Sequence, residues 1–183
     1  MGAAMMGGSA MIRAFSALAA AGFLTAAAAP AVAQDFVAER LVKSVTQDDL
    51  LAVVGSLGHQ VLEQGTEGDV YVVAQDPDQT NYFMFGTACD LSDVPGCQGI
   101  MMQVRYDLPP GTTFETLAKT NMDQAALNTW ADFEDKTLGF TRYQVLDDGV
   151  TMANIRENLN VLLALVPDAY AMASGEPSAA EAQ

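Results

Sequence analysis

Between Asn81 and Tyr106 the chain runs Asn-Tyr-Phe-Met-Phe-Gly-Thr-Ala-Cys, then a turn-forming loop from Asp90 to Gly96, then Cys-Gln-Gly-Ile-Met-Met-Gln-Val-Arg-Tyr. Two alternating apolar runs around such a loop read as an antiparallel pair of strands. Cys89 and Cys97 stand at the ends of the two runs. If they face one another, the register is fixed: Phe85 stands opposite Met101, Met84 opposite Met102 and Phe83 opposite Gln103. Side chains alternate between faces, so Tyr82, Met84, Ile100, Met102, Val104 and Tyr106 share one side. Phe83, Phe85, Thr87, Met101, Gln103 and Arg105 share the other. The first face is core. The second, with its Phe83, Phe85 and Met101 patch, needs cover from another element, a second subunit or a partner.

The address of the chain is written at its start. From Met1 to Ala33 the one charge is Arg13, followed by an alanine-rich apolar run and Pro30-Ala31-Val32-Ala33. This is the pattern of a secretory signal peptide with an Ala-x-Ala cleavage site. Translation from Met1 and from Met11 are both compatible with it. The apolar run is short and ends at the cleavage site, so no membrane insertion is expected after cleavage. The mature chain is expected to begin at Gln34, in the periplasm or released from the cell, with 150 residues that suffice for one domain. Residues 34–45 read as a linker, 46–173 as the domain and 174–183 as a disordered tail rich in Gly, Pro, Ala and Glu.

The formal net charge is −15, with 23 acidic against 8 basic residues. Such a field repels nucleic-acid phosphates and anionic lipid, so nucleic acid is not an expected partner. Two cysteines in an exported chain most often pair. A Cys89–Cys97 disulfide closes a loop of about nine residues, worth on the order of 2.5 kcal/mol.

Along the chain, Thr46 followed by Asp48 and Asp49 caps a first helix over about Thr46 to Leu57, stopped by Gly55 and Gly58. Arg40-Leu41-Val42-Lys43 offers a short extra element. His59 to Glu63 and Asp69 to Gln75 read as strands, and Asp76 to Gln79 as a turn into the organising pair. After Pro109-Pro110-Gly111, Thr112 or Thr113 caps a second helix bearing Phe114, Leu117, Ala118 and Met122. Ala125, Leu127 and Trp130 extend or restart that helix. Gly139 to Leu146 alternates as a strand, Asp147-Asp148-Gly149 makes a hairpin turn, and Val150 to Arg156 returns. Val161 to Met172 is a final apolar helix that Pro167 should kink or split. The fold class is therefore α+β: an antiparallel sheet, meander plus hairpin, packed with about three helices.

No catalytic constellation stands out. The lone histidine, His59, reads as structural, and Ser44, Ser56 and Ser92 lack a nucleophile elbow. Asp90 and Asp93 lack the calcium-loop spacing. No phosphate loop, dinucleotide fingerprint or metal-ligand set is present, so no metal, cofactor or enzymatic activity is expected.

Phe85-Gly86-Thr87-Ala88-Cys89, the short loop, Cys97 to Gln103, Asn128-Thr129-Trp130 and Phe140-Thr141-Arg142 leading to Leu146-Asp147-Asp148-Gly149 together resemble the YbjN-domain family. The likeness covers about Thr46 to Tyr170. That family is described as bacterial sensory transduction regulators, and its fold is similar to that of the small dimeric type III secretion chaperones. The family's second Asn after the tryptophan is Ala131 here, its basic residue before Phe140 is Gly139, and the stretch from Asp132 to Leu138 is longer. The resemblance marks Asn128, Trp130, Phe140, Arg142 and Asp147 as motif positions. Trp130 reads as a core or interface anchor, Asn128 as a cap or backbone partner, and Arg142 as paired with an acid such as Asp147 or Asp132.

The function expected is that of an exported, non-enzymatic domain acting by protein or peptide contact, chaperone-like or regulatory, with a homodimer possible. The expected surface is Phe83, Phe85, Met101, Gln103 and Arg105. The alternative is a small-ligand or sensory domain, with a pocket between the sheet and the second helix lined by Phe83, Phe85, Met101 and Trp130.

Overall fold

The computed structural model describes residues 35–66, 68–91 and 94–176. The expected signal peptide, Ser92, Asp93 and the tail from 177 onward lie outside the described residues.

A two-residue strand, β1 (Leu41–Val42), falls within the segment expected to hold a short element. Helix α1 (Gln47–Ser56) begins at Thr46, whose hydroxyl accepts from the Asp49 backbone N–H while the Asp49 carboxylate accepts from the Thr46 N–H at 2.9 Å. That reciprocal cap satisfies two otherwise orphaned donors. Asp49 is buried and also pairs with Arg40, tying the entry segment to the helix. At the other end Gly58 takes φ +68°, and the amides of Gly58 and His59 return to the carbonyls of Gly55 and Val54. This left-handed closure suits a residue without Cβ.

The main sheet has six antiparallel strands: β2 (Gln60–Gln64), β3 (Tyr71–Gln75), β4 (Asn81–Cys89), β5 (Cys97–Asp107), β6 (Asn128–Asp132) and β7 (Thr137–Val145). Their spatial order is β2-β3-β4-β5-β7-β6. The β4–β5 register is the one that the cysteine spacing implies: Met84 faces Met102, Phe85 faces Met101, Phe83 faces Gln103 and Cys89 faces Cys97. The disulfide between Cys89 and Cys97 is formed. On its other side Cys97 exchanges two backbone hydrogen bonds of 2.9 Å with Val45. The covalent link therefore sits between the β4–β5 hairpin and the entry to α1.

Helix α2 (Phe114–Asp123) starts at Thr113, and a second short strand, β8 (Val150–Thr151), pairs with β1 and leads directly into α3 (Met152–Ala173). Helices α1 and α3 pack on one side of the sheet. Leu50, Val53 and Val54 of α1 and Ile155, Leu159 and Leu162 of α3 are buried with Val72, Tyr82, Met84, Ile100, Met102, Val104 and Phe140 in one core. Along α3 the buried positions 152, 155, 159, 162, 166, 169 and 172, joined at the end by 173, keep the three-and-four spacing of a helix face against a core.

Four sequence expectations need correction. Ala125, Leu127 and Trp130 do not extend α2, which ends at Asp123. Leu127 and Trp130 have helical spacing, but Thr129 pairs with Phe140 and Trp130 with Gly139, so sheet pairing overrides the pattern. The Asp132 carboxylate accepts from the Glu134 and Asp135 amides and closes the β6–β7 turn. Phe114 and Met122 lie outward on α2, 79 % and 81 % exposed, while Leu117 and Thr120 face inward.

Val150 to Arg156 does not return as a hairpin strand. Strand β7 already has β5 on one edge and β6 on the other, so only two residues find a partner, in β1. Thr151 then caps α3 by accepting from the Asn154 amide. Pro167 does not split the helix, which runs unbroken for 22 residues. Its ring lies at an exposed position, and Val166 and Ala169 on either side are anchored in the core. Ser174 to Glu176 are not tail: the Gly175 and Glu176 amides bond back to Met172 and Ala171 and close the helix as at Gly58.

His59, just before β2, places Nδ1 2.9 Å from the hydroxyl of fully buried Tyr82. Burial raises the Tyr82 pKa, with Asp76 adding to the shift, so the phenol stays protonated and shares this hydrogen bond with the imidazole. Burial lowers the His59 pKa, and nearby Asp76 opposes this in part. A histidine with a folded pKa below its unfolded value of about 6.5 binds protons more readily when unfolded. Stability contributed by this group is thus complete above about pH 6.5 and lost as the pH falls below it. Urea denaturation at stepped pH should show that loss, and His59→Gln should flatten it. Replacing both cysteines by serine should lower stability by about 2.5 kcal/mol in the same assay at neutral pH.

Candidate functional site: the open face of the sheet

The alternation that buries Tyr82, Met84, Ile100, Met102 and Val104 sends their neighbours to the opposite side. Among the described residues no helix covers that side: α1 packs on β2, β3 and α3, α2 on β6 and α3, and α3 on β5, β7 and β8. Strand registers line its side chains up in rows. One row crosses four strands as Tyr71, Phe85, Met101 and Tyr143. The next runs Val73, Phe83, Gln103, Thr141 and Asn128. A third holds Arg105, Gly139 and Trp130.

Two glycines lie beneath two aromatic rings of this face. A Cβ at Gly139 would occupy the space of the Trp130 indole, and one at Gly99 that of the Tyr143 phenol. Trp130 Nε1 donates to Thr141 Oγ1 at 2.9 Å, and the Tyr143 hydroxyl lies 3.0 Å from Thr87 Oγ1. Phe83 and Phe85 run parallel with centroids 5.8 Å apart.

Beside these rings lies a polar relay. Gln103 is buried, and its Nε2 donates to Thr141 Oγ1 at 3.0 Å. That fixes the amide so that Oε1 receives Arg105 Nε and Nη2, at 3.0 and 2.6 Å. The guanidinium is held over Phe83 at 5.1 Å and over Phe85 and Trp130 at 5.9 Å. Ring quadrupoles favour a cation in this position. The arrangement can present a fixed cation and a rigid aromatic surface. At the β2 side of the face the Glu63 carboxylate, opposite Val73, accepts from the Tyr71 hydroxyl at 2.7 Å.

Phe83, Phe85, Met101, Gln103 and Arg105 are thus brought together, and Trp130 joins them from the edge strand. The family-motif set is divided. Asn128 is exposed at the end of β6, Phe140 lies in the core, and Asp147 is an exposed turn residue. Arg142 does not pair with Asp147 or Asp132: Nε and Nη2 donate to Asn158 Oδ1 and Nη1 to the Ala126 carbonyl, which ties β7 to α3 and to the loop before β6. Phe83, Phe85, Met101 and Trp130 share the side of the sheet opposite α3, on which α2 packs, and so do not face α2. Tyr71, Tyr143 and Thr141 belong to the face and were not among the expected site residues. The signal for Tyr143 and Thr141 is their parity in the alternating run from Gly139 to Leu146.

A cleft of about 440 Å³ lies elsewhere, between the start of α1, the β2–β3 turn and the disulfide. Thr46, Gln47, Thr66, Asp69, Val70 and Asp90 line it together with glycines and the cysteines. No group of His, Cys, Asp and Glu among the described residues is placed to hold a metal ion.

No protein-family model matches the chain, and none of the curated proteins does. Among solved structures it is similar to that of YbjN from E. coli, a candidate transcription regulator, with 14 % identity, a TM-score of 0.48, and coverage of 70 % of this chain and 95 % of that one.

Replacing Gly139 by alanine should displace the indole of Trp130. The chain contains one tryptophan, so its emission reports the change directly: a shift to longer wavelength is expected, with far-ultraviolet dichroism retained.

Proposed function

We propose that this is an exported, non-enzymatic domain that acts by protein or peptide contact, chaperone-like or regulatory, through the open face of its sheet. The observation that carries this reading is the row of Tyr71, Phe85, Met101 and Tyr143, beside Phe83 and Trp130, on a side that no helix of the described residues covers. Aromatic, methionine and arginine side chains are the types enriched where proteins meet. Here they are held in place before any partner arrives, so little side-chain entropy remains to be lost on binding. The side chains most used for catalysis are engaged elsewhere: both cysteines in the disulfide and the one histidine with Tyr82. Export is supported by the Met1 to Ala33 run and by cysteines that pair. The partner class includes a second copy of this chain.

Peptides selected from a displayed library on the oxidised domain should lose at least about tenfold in affinity when Phe85 or Tyr143 becomes glutamate, since face-centred aromatics dominate such interfaces. Met122→Glu, on the outer side of α2, should leave binding unchanged. Binders indifferent to both face substitutions would sink the proposal.

A further inference from the structure

The open face has one feature that a generic apolar surface lacks, and the chain's charge makes it conspicuous. In a chain of formal charge −15 with 8 basic residues, three of the described arginines are committed to the fold. Arg40 pairs with buried Asp49, Arg142 binds Asn158 and the Ala126 carbonyl, and Arg156 lies 4.8 Å from the Phe36 ring. Arg105 is exposed, lies on the partner-facing side, and its partners are a neutral amide and three rings. Among the described residues no carboxylate pairs with it. Two of its five N–H groups are used by Gln103 Oε1, and that bond is held by the Gln103 to Thr141 link behind it.

Resting on the contact reading above, we infer that Arg105 is the anchor for a carboxylate, and that the face takes a segment in which one acidic side chain is flanked by aromatic or aliphatic ones. The guanidinium supplies the charge-assisted hydrogen bonds that a carboxylate accepts best. The neighbouring rings keep water away on one side, and this strengthens such a bond. The flanking apolar side chains would lie on the row from Tyr71 to Tyr143. An acidic tract is a poorer match than a single carboxylate, because the rest of the chain repels it.

The test uses the oxidised mature domain and two synthetic probes, acetyl-Thr-Phe-Glu-Val-Phe-Thr-amide and its counterpart with glutamine in place of glutamate, titrated against Trp130 emission excited at 295 nm. The glutamate probe is expected to bind about tenfold more tightly, the lower end of what a hydrogen bond to a charged group contributes. Arg105→Gln should abolish that difference and leave the glutamine probe unchanged. The wild-type comparison of the two probes stands alone should the variant fold poorly. Equal binding of both probes, lost on Phe85→Glu, would overturn the carboxylate anchor and leave the contact face standing. Binding by neither probe would overturn the anchor as well. In that case light scattering assigns the face: a dimer broken by Phe85→Glu makes a second copy the occupant, and a monomer removes the contact reading too.

Discussion

Everything in this domain depends on the register of β4 against β5. Because side chains alternate, a slip of one residue would carry Phe83 and Phe85 into the core and send Tyr82 and Met84 to water. The register is held from both ends of the pair. At one end Cys89 is bonded to Cys97, and the same Cys97 is hydrogen-bonded to Val45 on the approach to α1. Further along, buried Tyr82 stands opposite Val104 and its hydroxyl shares a hydrogen bond with His59. That hydroxyl would be costly to bury without a partner. The core face and the open face are therefore two outcomes of one alignment.

A sheet can bind partners along its edges or across its face, and this one guards its edges. On β6, the outer strand at one side, the Asn121 side chain accepts from the Thr129 amide and donates to the Thr129 carbonyl, at 2.8 and 2.9 Å. It occupies the place that another strand would take. On β2, the outer strand at the other side, Val61 faces Ala74 and Glu63 faces Val73, so Leu62 is an extra residue that breaks the ladder. Bulges and inserted side chains of this kind blunt strand addition. The face carries no comparable protection among the described residues: its glycines admit the Trp130 and Tyr143 rings closely, and both rings are hydrogen-bonded in position.

The sequence made the central hairpin legible because two independent signals agree there, the alternation from Tyr82 to Tyr106 and the spacing of the cysteines. The first helix was legible for the same reason, since Thr46 and Asp49 stand at cap spacing just ahead of a run of buried residues. It was misleading where a decision rests on distant partners. Leu127 and Trp130 satisfy helical spacing, and only the free edge of β7 decides that they form a strand. Val150 to Arg156 satisfies a hairpin pattern, and only the occupied edges of β7 forbid it, although Met152, Ile155 and Leu159 already carry the period of α3. For the site, side-chain parity found Phe83, Phe85, Met101, Gln103 and Arg105, whereas the pairing of Arg142 with Asn158 depends on where α3 packs and has no local signature.

Charge and shape act on the face over different distances. The surplus of acidic groups acts at long range and is screened within about 8 Å at physiological ionic strength. It discourages acidic tracts, and it also discourages a second copy of the same acidic chain from approaching face to face. At contact Arg105, set among Phe83, Phe85 and Trp130, places a cation on the face of an otherwise acidic chain. A segment that presents apolar side chains with a single carboxylate meets little of the long-range repulsion and all of the short-range attraction. On the proposed reading the same surface would reject partners by their total charge and select among the remainder by the position of one charge, a combination that a uniformly apolar face cannot achieve.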